Sequence, residues 1–318
     1  MSTSYDRNDD GASKSNDGVC EMNEMLQNMN TADNDNSVPV CANCGKEGAN
    51  NTCNKCKMVK YCNAACKKKH RTKHKKQCER RVAELHDEQL FKDHPTPAEC
   101  PICLLPLPSA DQSIFKSCCG KTICKGCILE MIKTELRQEL KKGRNRESVK
   151  QLCPFCRMPV PIDGDEEGRR IVKLVQSGNV NAINVLGQCY SDGSWGMPLD
   201  FTKANELYLK AGDHGCAGGH YNLGVSYLNG CGVDEDRKKA KYYFELAAIK
   251  GCKEARYTLV LIEDIASNHE RATKHSIIGA RAGHEDCLEG VKADYMEGSV
   301  TKDEYAILYG STKSDKMR

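Results

Sequence analysis

Cysteines spaced two residues apart are the feature that most constrains the fold of this chain. Of its 21 cysteines, seven lie between Cys41 and Cys78 and eight lie between Cys100 and Cys156. The first of these stretches contains few large apolar residues, so it cannot bury enough apolar surface to fold without additional cross-links. The last five cysteines, from Cys189 onward, occur singly in helical sequence, and we expect them to be core or incidental residues.

Disulfide bonds and metal ligands are the two explanations for such cysteine pairs. The N-terminal sequence has no apolar segment typical of a secretory signal, and no apolar run approaches the roughly 20 residues needed to span a bilayer. We therefore expect a cytoplasmic or nuclear protein without a membrane segment, in which Cys-x-x-Cys pairs bind metal. Residues 1–39 are rich in Asn, Asp and Ser, and we expect them to be a disordered tail.

The first cysteine cluster, residues 40–82, contains eight thiol or imidazole side chains at metal-ligand spacing. These are Cys41, Cys44, Cys53, Cys56, Cys62, Cys66, His74 and Cys78. Eight such ligands are enough for two closed tetrahedral zinc sites, in which the metal is structural. His74 and Cys78 are four residues apart, so on a helix they share a face, as joint coordination requires.

This spacing, with Tyr61 directly before Cys62, closely resembles the MYND zinc finger. The family is a protein-interaction module that often binds short proline-containing peptides. The resemblance implies interleaved ligand sets. One set is Cys41, Cys44, Cys62 and Cys66, and the other is Cys53, Cys56, His74 and Cys78. Arg71 stands where the family commonly has tryptophan and Lys67 where it commonly has glutamine, so an aromatic wall of the peptide site is absent.

A basic run, CKKKHRTKHKKQCERR (66–81), overlaps the end of the first cluster. Three interpretations apply to it: the solvated face of a zinc-binding helix, a surface for an acidic partner or a nuclear import receptor, and a nucleic-acid contact. No aromatic residues that could stack on bases are interleaved with the charges, and the net charge of the whole chain is only +3. We therefore favour the solvated face and regard nucleic acid as an unlikely partner.

The second cluster, residues 100–160, follows a predicted linker (83–99) and again supplies eight thiols. These are Cys100, Cys103, Cys118, Cys119, Cys124, Cys127, Cys153 and Cys156. Between the last two pairs, the apolar spacing of ILEMIKTELRQELKKG (128–143) predicts a helix that ends at Gly143, followed by an exposed loop at 144–150.

The motifs CPIC and CPFCR at the two ends of this cluster resemble a RING finger of the eight-cysteine type. Lys121 occupies the position where most RING fingers have a histidine ligand. Because a charged lysine cannot bind zinc, we expect the adjacent Cys118 to supply the missing thiolate. The resemblance implies two further interleaved sets. They are Cys100, Cys103, Cys124 and Cys127, and Cys118, Cys119, Cys153 and Cys156.

RING fingers act as ubiquitin ligases: they hold a charged ubiquitin-conjugating enzyme in a reactive geometry without covalent chemistry of their own. The resemblance makes Ile102, Met131 and Pro154 candidates for the apolar patch that contacts this enzyme. Arg157, directly after the last cysteine ligand, matches the linchpin arginine that contacts both enzyme and ubiquitin. Ile102 and Pro154 could equally serve only to shape the loops around the metal.

A repeat begins near residue 166 and continues toward residue 318. The Leu-Gly pair at Leu186 recurs at Leu223, and the closing glycine at Gly215 recurs at Gly251. Each unit reads as two helices, and the units resemble Sel-one-like repeats, short relatives of the tetratricopeptide class. The resemblance implies a solenoid whose surface binds protein partners. Residues 166–178 are expected to cover its first end.

The fold class predicted from these observations is two small zinc-stabilised α+β modules, both cross-brace zinc fingers, followed by an all-α helical-repeat solenoid. We expect four Zn²⁺ ions, two in each finger. The preferred function is a RING-type ubiquitin ligase that recruits a ubiquitin-conjugating enzyme through the RING and substrates through the repeats and the MYND finger. The alternative is a non-enzymatic scaffold for protein–protein interaction. The sequence leaves the substrate, the conjugating enzyme and the oligomeric state open.

Overall fold

The computed structural model describes residues 38–92, 98–108, 112–143 and 152–308. They form two compact units that divide between Gln89 and Leu90. The predicted disordered tail, up to residue 37, and the predicted exposed loop at 144–150 lie outside the described residues. The architecture is the predicted one: small cysteine-rich modules with short strands, followed by a solenoid of helical repeats.

The first unit consists of a short hairpin and one long helix. Strand β1 (Asn51–Thr52) pairs antiparallel with β2 (Lys60–Tyr61), and α1 follows over Ala64–Leu90. The helix therefore extends into the predicted linker at 83–99. The extension is rich in helix-forming residues, and Arg81 forms ion pairs with Glu84 and Glu88 on successive turns.

The second unit opens with the module that contains the second cysteine cluster. Strand β3 (Ser113–Phe115) pairs antiparallel with β4 (Thr122–Cys124), and α2 spans Lys125–Lys141. This helix begins three residues earlier than predicted, because the sulfur of Cys124 caps it by accepting a hydrogen bond from the backbone N–H of Cys127 at 3.4 Å. It ends just before Gly143, whose φ of 72° lies in the left-handed region.

Eight helices then build the repeats. They are α3 (Gly164–Gln176), α4 (Val180–Asp192), α5 (Phe201–Asp213), α6 (Ala217–Asn229), α7 (Arg237–Ile249), α8 (Lys253–Ile265), α9 (His269–Arg281) and α10 (Glu285–Met296). A further helical segment covers 302–308. From α4 onward, each helix packs against the one before it. Helix α3 covers the first end as predicted, and its Ile171 is completely buried against α4 and α5.

Close packing within each repeat depends on a glycine that faces an aromatic ring. A Cβ on Gly187 in α4 would lie 2.7 Å from the ring of Tyr208 in α5, and a Cβ on Gly224 in α6 would lie 2.7 Å from the ring of Phe244 in α7. The two glycines are the second residues of the two Leu-Gly pairs. The repeated Leu-Gly pair therefore marks the point where the two helices of each repeat approach each other closely.

The helix ends recur with the same period. Asp200 and Asp236 cap α5 and α7 through their carboxylates, which accept hydrogen bonds from the backbone N–H groups of Lys203 and Lys239. The glycines that end α4 and α6, Gly193 and Gly230, share a φ of 68° and a ψ of 28°. These caps end each helix at the same point in both repeats.

The second cysteine module contacts the repeats at several points. The ammonium group of Lys253 in α8 donates a hydrogen bond to the carbonyl oxygen of Leu107 at 3.1 Å. The guanidinium of Arg170 in α3 donates to the carbonyl oxygen of Pro159 at 2.7 Å. Phe115 of β3 packs against the same apolar cluster as Ile171. These contacts attach the module directly to α3 and α8.

Replacing Gly224 by alanine is expected to destabilise the repeats. The new methyl group would collide with the ring of Phe244, and overpacking of this kind costs about 1–3 kcal/mol. The measurement is the midpoint of urea unfolding. Gly290→Ala in α10 is the matched control. Its Cβ would lie 3.4 Å from the nearest atom, so the better helix propensity of alanine should leave stability equal or higher. Equal midpoints for Gly224→Ala and the wild type would contradict this account of the repeat.

A buried histidine is expected to make the repeats less stable in acid. Burial, together with the charges of Arg256 and Arg271, lowers the pKa of His275 to about 3, and Arg256 donates a hydrogen bond to its Nδ1 at 3.1 Å. Since an unfolded histidine binds protons below about pH 6.5, stability is complete above that pH and is lost as the pH falls toward 3. Protonation of this one histidine in the unfolded state should lower the free energy of unfolding by about 2 kcal/mol at pH 5 relative to pH 7.

The check is urea unfolding of the wild type and His275→Gln at both pH values. The glutamine keeps an acceptor for Arg256 but cannot titrate. Any stability advantage of the wild type over the variant at pH 7 should therefore shrink or reverse at pH 5. His269→Gln, at a side chain that is 78% exposed, is the control and should follow the wild type. Parallel pH profiles for wild type and His275→Gln would rule out the effect.

Candidate metal centres

The described residues contain four groups of cysteine and histidine side chains that could each hold one metal ion. The groups are Cys41, Cys44, Cys62 and Cys66; Cys53, Cys56, His74 and Cys78; Cys100, Cys103, Cys124 and Cys127; and Cys118, Cys119, Cys153 and Cys156. Within each group, the ligand atoms all lie within 4.8 Å of one another. All sixteen candidate ligands are brought together, in the interleaved sets that the two resemblances imply.

One Cys-x-x-Cys pair in each group forms the same tight turn. The backbone N–H of the residue after the second cysteine donates to the carbonyl of the first cysteine, from Gly45, Lys57, Leu104 and Arg157, at 2.8–3.0 Å. All four donor residues have φ between 58° and 73°, a left-handed conformation that only glycine adopts without strain. Three of the four turns use a non-glycine residue there, so the turn is maintained at a cost in backbone energy.

The distances between sulfur atoms fit tetrahedral zinc. A Zn–S distance of about 2.3 Å places two thiolates on one ion about 3.8 Å apart. The observed separations are 3.8 Å for Cys53 and Cys78, 3.9 Å for Cys103 and Cys124, and 3.7 Å for Cys119 and Cys153. A disulfide would require about 2.0 Å.

The histidine of the first finger also fits a metal site. His74 is buried in α1, with its Nε2 3.2 Å from the sulfur of Cys56. Its second ring nitrogen, Nδ1, is buried and finds no hydrogen-bond partner among the described residues. A neutral imidazole directed into three thiols, in a module with little other core, is the donor set of a structural zinc site.

The turns also favour the thiolate form of the first cysteine in each pair. Burial raises the pKa of these thiols, but backbone N–H groups directed at the sulfur outweigh it. The net pKa falls to about 6 for Cys41, Cys53 and Cys100, and to about 7 for Cys153. The thiolate is the form that binds metal, so each turn supplies one ligand already suited to coordination.

Cys118 and Lys121 take different places in the second finger. Cys118 lies in the group with Cys119 and the final cysteine pair, so this group has four thiols. The ammonium group of Lys121 instead lies over the ring of Phe155, 4.2 Å from its centre. Lys121 therefore makes a cation–π contact and is not one of the four side chains of the group.

The candidate enzyme-contact residues occupy two places on the second finger. Met131 of α2 and Pro154 line one small hollow together with Val160. Ile102, which is 38% exposed, and Arg157, which is also exposed, belong to the two Cys-x-x-Cys turns.

Leu104, which no motif in the sequence singled out, is 69% exposed directly after the first of these turns. In so small a module, an apolar residue beside such a turn has no core to enter. Its place directly after a Cys-x-x-Cys pair could therefore have identified Leu104 from the sequence.

Family models match three parts of the chain. Residues 41–78 match the MYND finger, and residues 180–216 and 217–252 each match the Sel1 repeat. The chain carries a MYND finger and Sel1 repeats. With the ligand groups described above, the finger identifies the chain as a zinc-binding protein, and both kinds of module are protein-interaction modules.

Several curated proteins are similar over shorter stretches. Chitin synthase regulatory factor 4 of Schizosaccharomyces pombe is 28% identical over 131 residues, which cover 41% of this chain and 21% of that protein. E3 ubiquitin-protein ligase GW2 of rice is 39% identical over 61 residues, covering 19% and 11%. The ERAD-associated E3 ubiquitin-protein ligase component HRD3B of Arabidopsis thaliana is 41% identical over 58 residues, covering 18% and 10%. The chain thus spans between a tenth and about a fifth of these relatives.

Among solved structures, a Sel1 repeat protein from Oxalobacter formigenes is 18% identical, with a TM-score of 0.42. The match covers 59% of this chain and 72% of that one. Within the described residues, no helix combines the length and apolar character needed to cross a membrane.

Cys118→Ser is expected to lower the zinc content of the purified protein by one ion, because it leaves its group with three thiols. Lys121→Ala, in the same loop, should keep the full zinc content and lose only the contact with Phe155. Native mass spectrometry counts the ions in both variants, and Cys287→Ser, at a buried cysteine outside the four groups, is the control. Full zinc content in Cys118→Ser would show that the group does not use this thiol.

Proposed function

We propose that this protein is a RING-type ubiquitin ligase whose second finger recruits a ubiquitin-conjugating enzyme. In this proposal it holds four zinc ions, two in each finger, and acts in the cytoplasm or nucleus. The observation that carries the proposal is the pair of interleaved ligand groups at 100–156, together with exposed apolar and basic residues on their turns. The MYND finger and the Sel1 repeats would bind substrates or adaptors.

The exposed surface of the first turn supports docking of an enzyme. Ile102 and Leu104 flank Cys103 and are 38% and 69% exposed. The hydrogen bond from the Leu104 N–H to the carbonyl of Cys100, at 2.8 Å, fixes the backbone between them. Apolar side chains on a rigid backbone can contact a partner with little loss of conformational freedom.

The position of Arg157 supports the orientation of ubiquitin. Its N–H closes the last turn by bonding to the carbonyl of Cys153 at 3.0 Å, and its side chain is exposed. Arginine presents several N–H donors in a rigid plane, so it can bind carbonyl groups of two proteins at once. Holding the thioester in one geometry is how a protein without a nucleophile of its own can accelerate transfer.

The names of two relatives point in the same direction. One is a ubiquitin-protein ligase and the other a component of one, although each is matched over a tenth or so of its length. The alternative proposal is a non-enzymatic scaffold, which the similarity of 131 residues to a chitin synthase regulatory factor favours. In that case the second finger would be only a zinc-stabilised fold.

Reconstituted ubiquitination separates the two proposals. We expect the full chain to promote ubiquitin chain formation with at least one member of a panel of conjugating enzymes. Ile102→Ala and Arg157→Ala should each reduce the rate by about tenfold or more, which corresponds to about 1.4 kcal/mol in the barrier. Ile162→Ala and Arg137→Ala are the controls, at exposed residues outside the turns, and should keep the rate.

Each variant is first weighed by native mass spectrometry, so that a loss of rate is interpreted only when the zinc content equals that of the wild type. Four ions are expected. Three ions in the wild type would contradict two intact sites in each finger. A protein with full zinc content that is silent with every conjugating enzyme would favour the scaffold.

A further inference from the structure

The MYND finger carries a groove whose walls are basic. The groove has a volume of about 750 Å³ and lies between the hairpin loop and one face of α1. Its basic lining residues are Lys55, Lys67, Lys68, Arg71 and Lys75, whereas Glu79 is its only acidic lining residue. The candidate zinc ligands Cys53, His74 and Cys78 also line the groove, and their group would carry about one negative charge with zinc bound. The five cations outnumber this charge and that of Glu79, so a local positive potential remains that the near-neutral charge of the whole chain conceals.

Three of these cations are available for a ligand. Lys67 is already used inside the finger, where it donates to the side-chain oxygen of Asn54 at 3.0 Å, and Lys75 lies 3.9 Å from Glu79. Lys55, Lys68 and Arg71 are exposed and form no ion pair with any described residue. Their charges are therefore balanced only by solvent ions, which an incoming carboxylate can displace.

The groove lacks an exposed aromatic surface. Among the described residues that line it, Tyr61 is the only one of the Phe, Tyr or Trp type. It is 1% exposed, with its hydroxyl 3.2 Å from Nδ1 of His70. Arg71 stands where an aromatic wall would be expected. Proline rings and nucleic-acid bases both bind well to exposed aromatic faces, so neither finds its usual partner here.

The spacing of the cations fits an extended chain. Lys68, Arg71 and Lys75 lie on successive turns of α1, and a rise of about 1.5 Å per residue places Lys68 and Lys75 about 10 Å apart along the helix. An extended peptide in the polyproline II conformation advances about 3.1 Å per residue with three residues per turn, so carboxylates three residues apart share a face and span about 9 Å.

We propose that this groove binds an extended acidic segment of a partner protein, with carboxylates on Lys55, Lys68 and Arg71. The inference builds on the proposed role of the MYND finger as a partner-binding module, but it does not depend on ligase activity. Because binding is measured without a conjugating enzyme, its failure and the failure of the ligase proposal are separate results.

The test uses the full chain and a short fluorescein-labelled peptide with a glutamate at every third position, followed by fluorescence anisotropy. We expect saturable binding that weakens as salt is raised, and binding at least about tenfold weaker for a matched peptide with glutamine in place of glutamate. Lys68→Glu and Arg71→Glu should each weaken binding about fivefold or more. Lys69→Glu and Lys73→Glu make the same charge change at exposed residues of α1 outside the groove and should change affinity less than about twofold.

Three results would overturn the proposal. Equal weakening by the groove variants and their controls, with tighter binding of a labelled single-stranded oligonucleotide, would identify a nucleic-acid surface. If an uncharged proline-containing peptide binds with the same affinity as the glutamate peptide, the groove does not select for negative charge. Residues 1–37 contain eight acidic and two basic residues. If the glutamate peptide binds only after those eight are replaced by Asn and Gln, the occupant is the N-terminal segment of this chain and not a partner.

Discussion

The convergence of four side chains on one point is the constraint on which the cysteine-rich modules depend. Four of the six buried residues in the core of the MYND finger, Cys41, Cys53, Cys56 and Cys78, belong to the ligand groups. In the second finger, α2 has no fully buried residue at all. Modules with so little apolar core need metal coordination to offset the loss of chain entropy. Each feature of these fingers, including the groove and the exposed turns, is therefore fixed in place through the ligands.

The repeats are stabilised differently, by contacts that need no metal. Glycines at Gly187 and Gly224 let an aromatic ring of the next helix approach the backbone, and each completed repeat offers the same surface to its successor. Buried charge in the repeats is offset by nearby groups of opposite charge. Glu263, for example, is fully buried between Lys241 and Arg271, with Nζ and Nε at 2.9 and 3.1 Å from its carboxylate, and these contacts, set against burial, lower its pKa to about 2.

Much of this organisation could be predicted from the sequence, because its causes are local or periodic. Tetrahedral coordination demands four ligands, so the spacing of cysteines predicts zinc, and a recurring Leu-Gly pair predicts stacked helices. Contacts between distant segments could not be predicted. Lys121 and Phe155 meet only because Cys119 and Cys153 share a group. The extension of α1 to Leu90 depends on ion pairs that composition alone does not distinguish from a solvated linker. The basic groove requires the hairpin loop to lie beside α1, which no local pattern reveals.

The attachment of the second finger to the repeats has a mechanical consequence. Lys253, Arg170 and Phe115 join the finger to α8 and α3 directly, without a flexible tether. A tethered domain samples many orientations, so its effective concentration at any one place is averaged over a wide volume. A directly attached domain keeps one orientation relative to the domain that holds it. The exposed turns of the second cysteine module therefore keep a set distance and angle to the surface of the repeats.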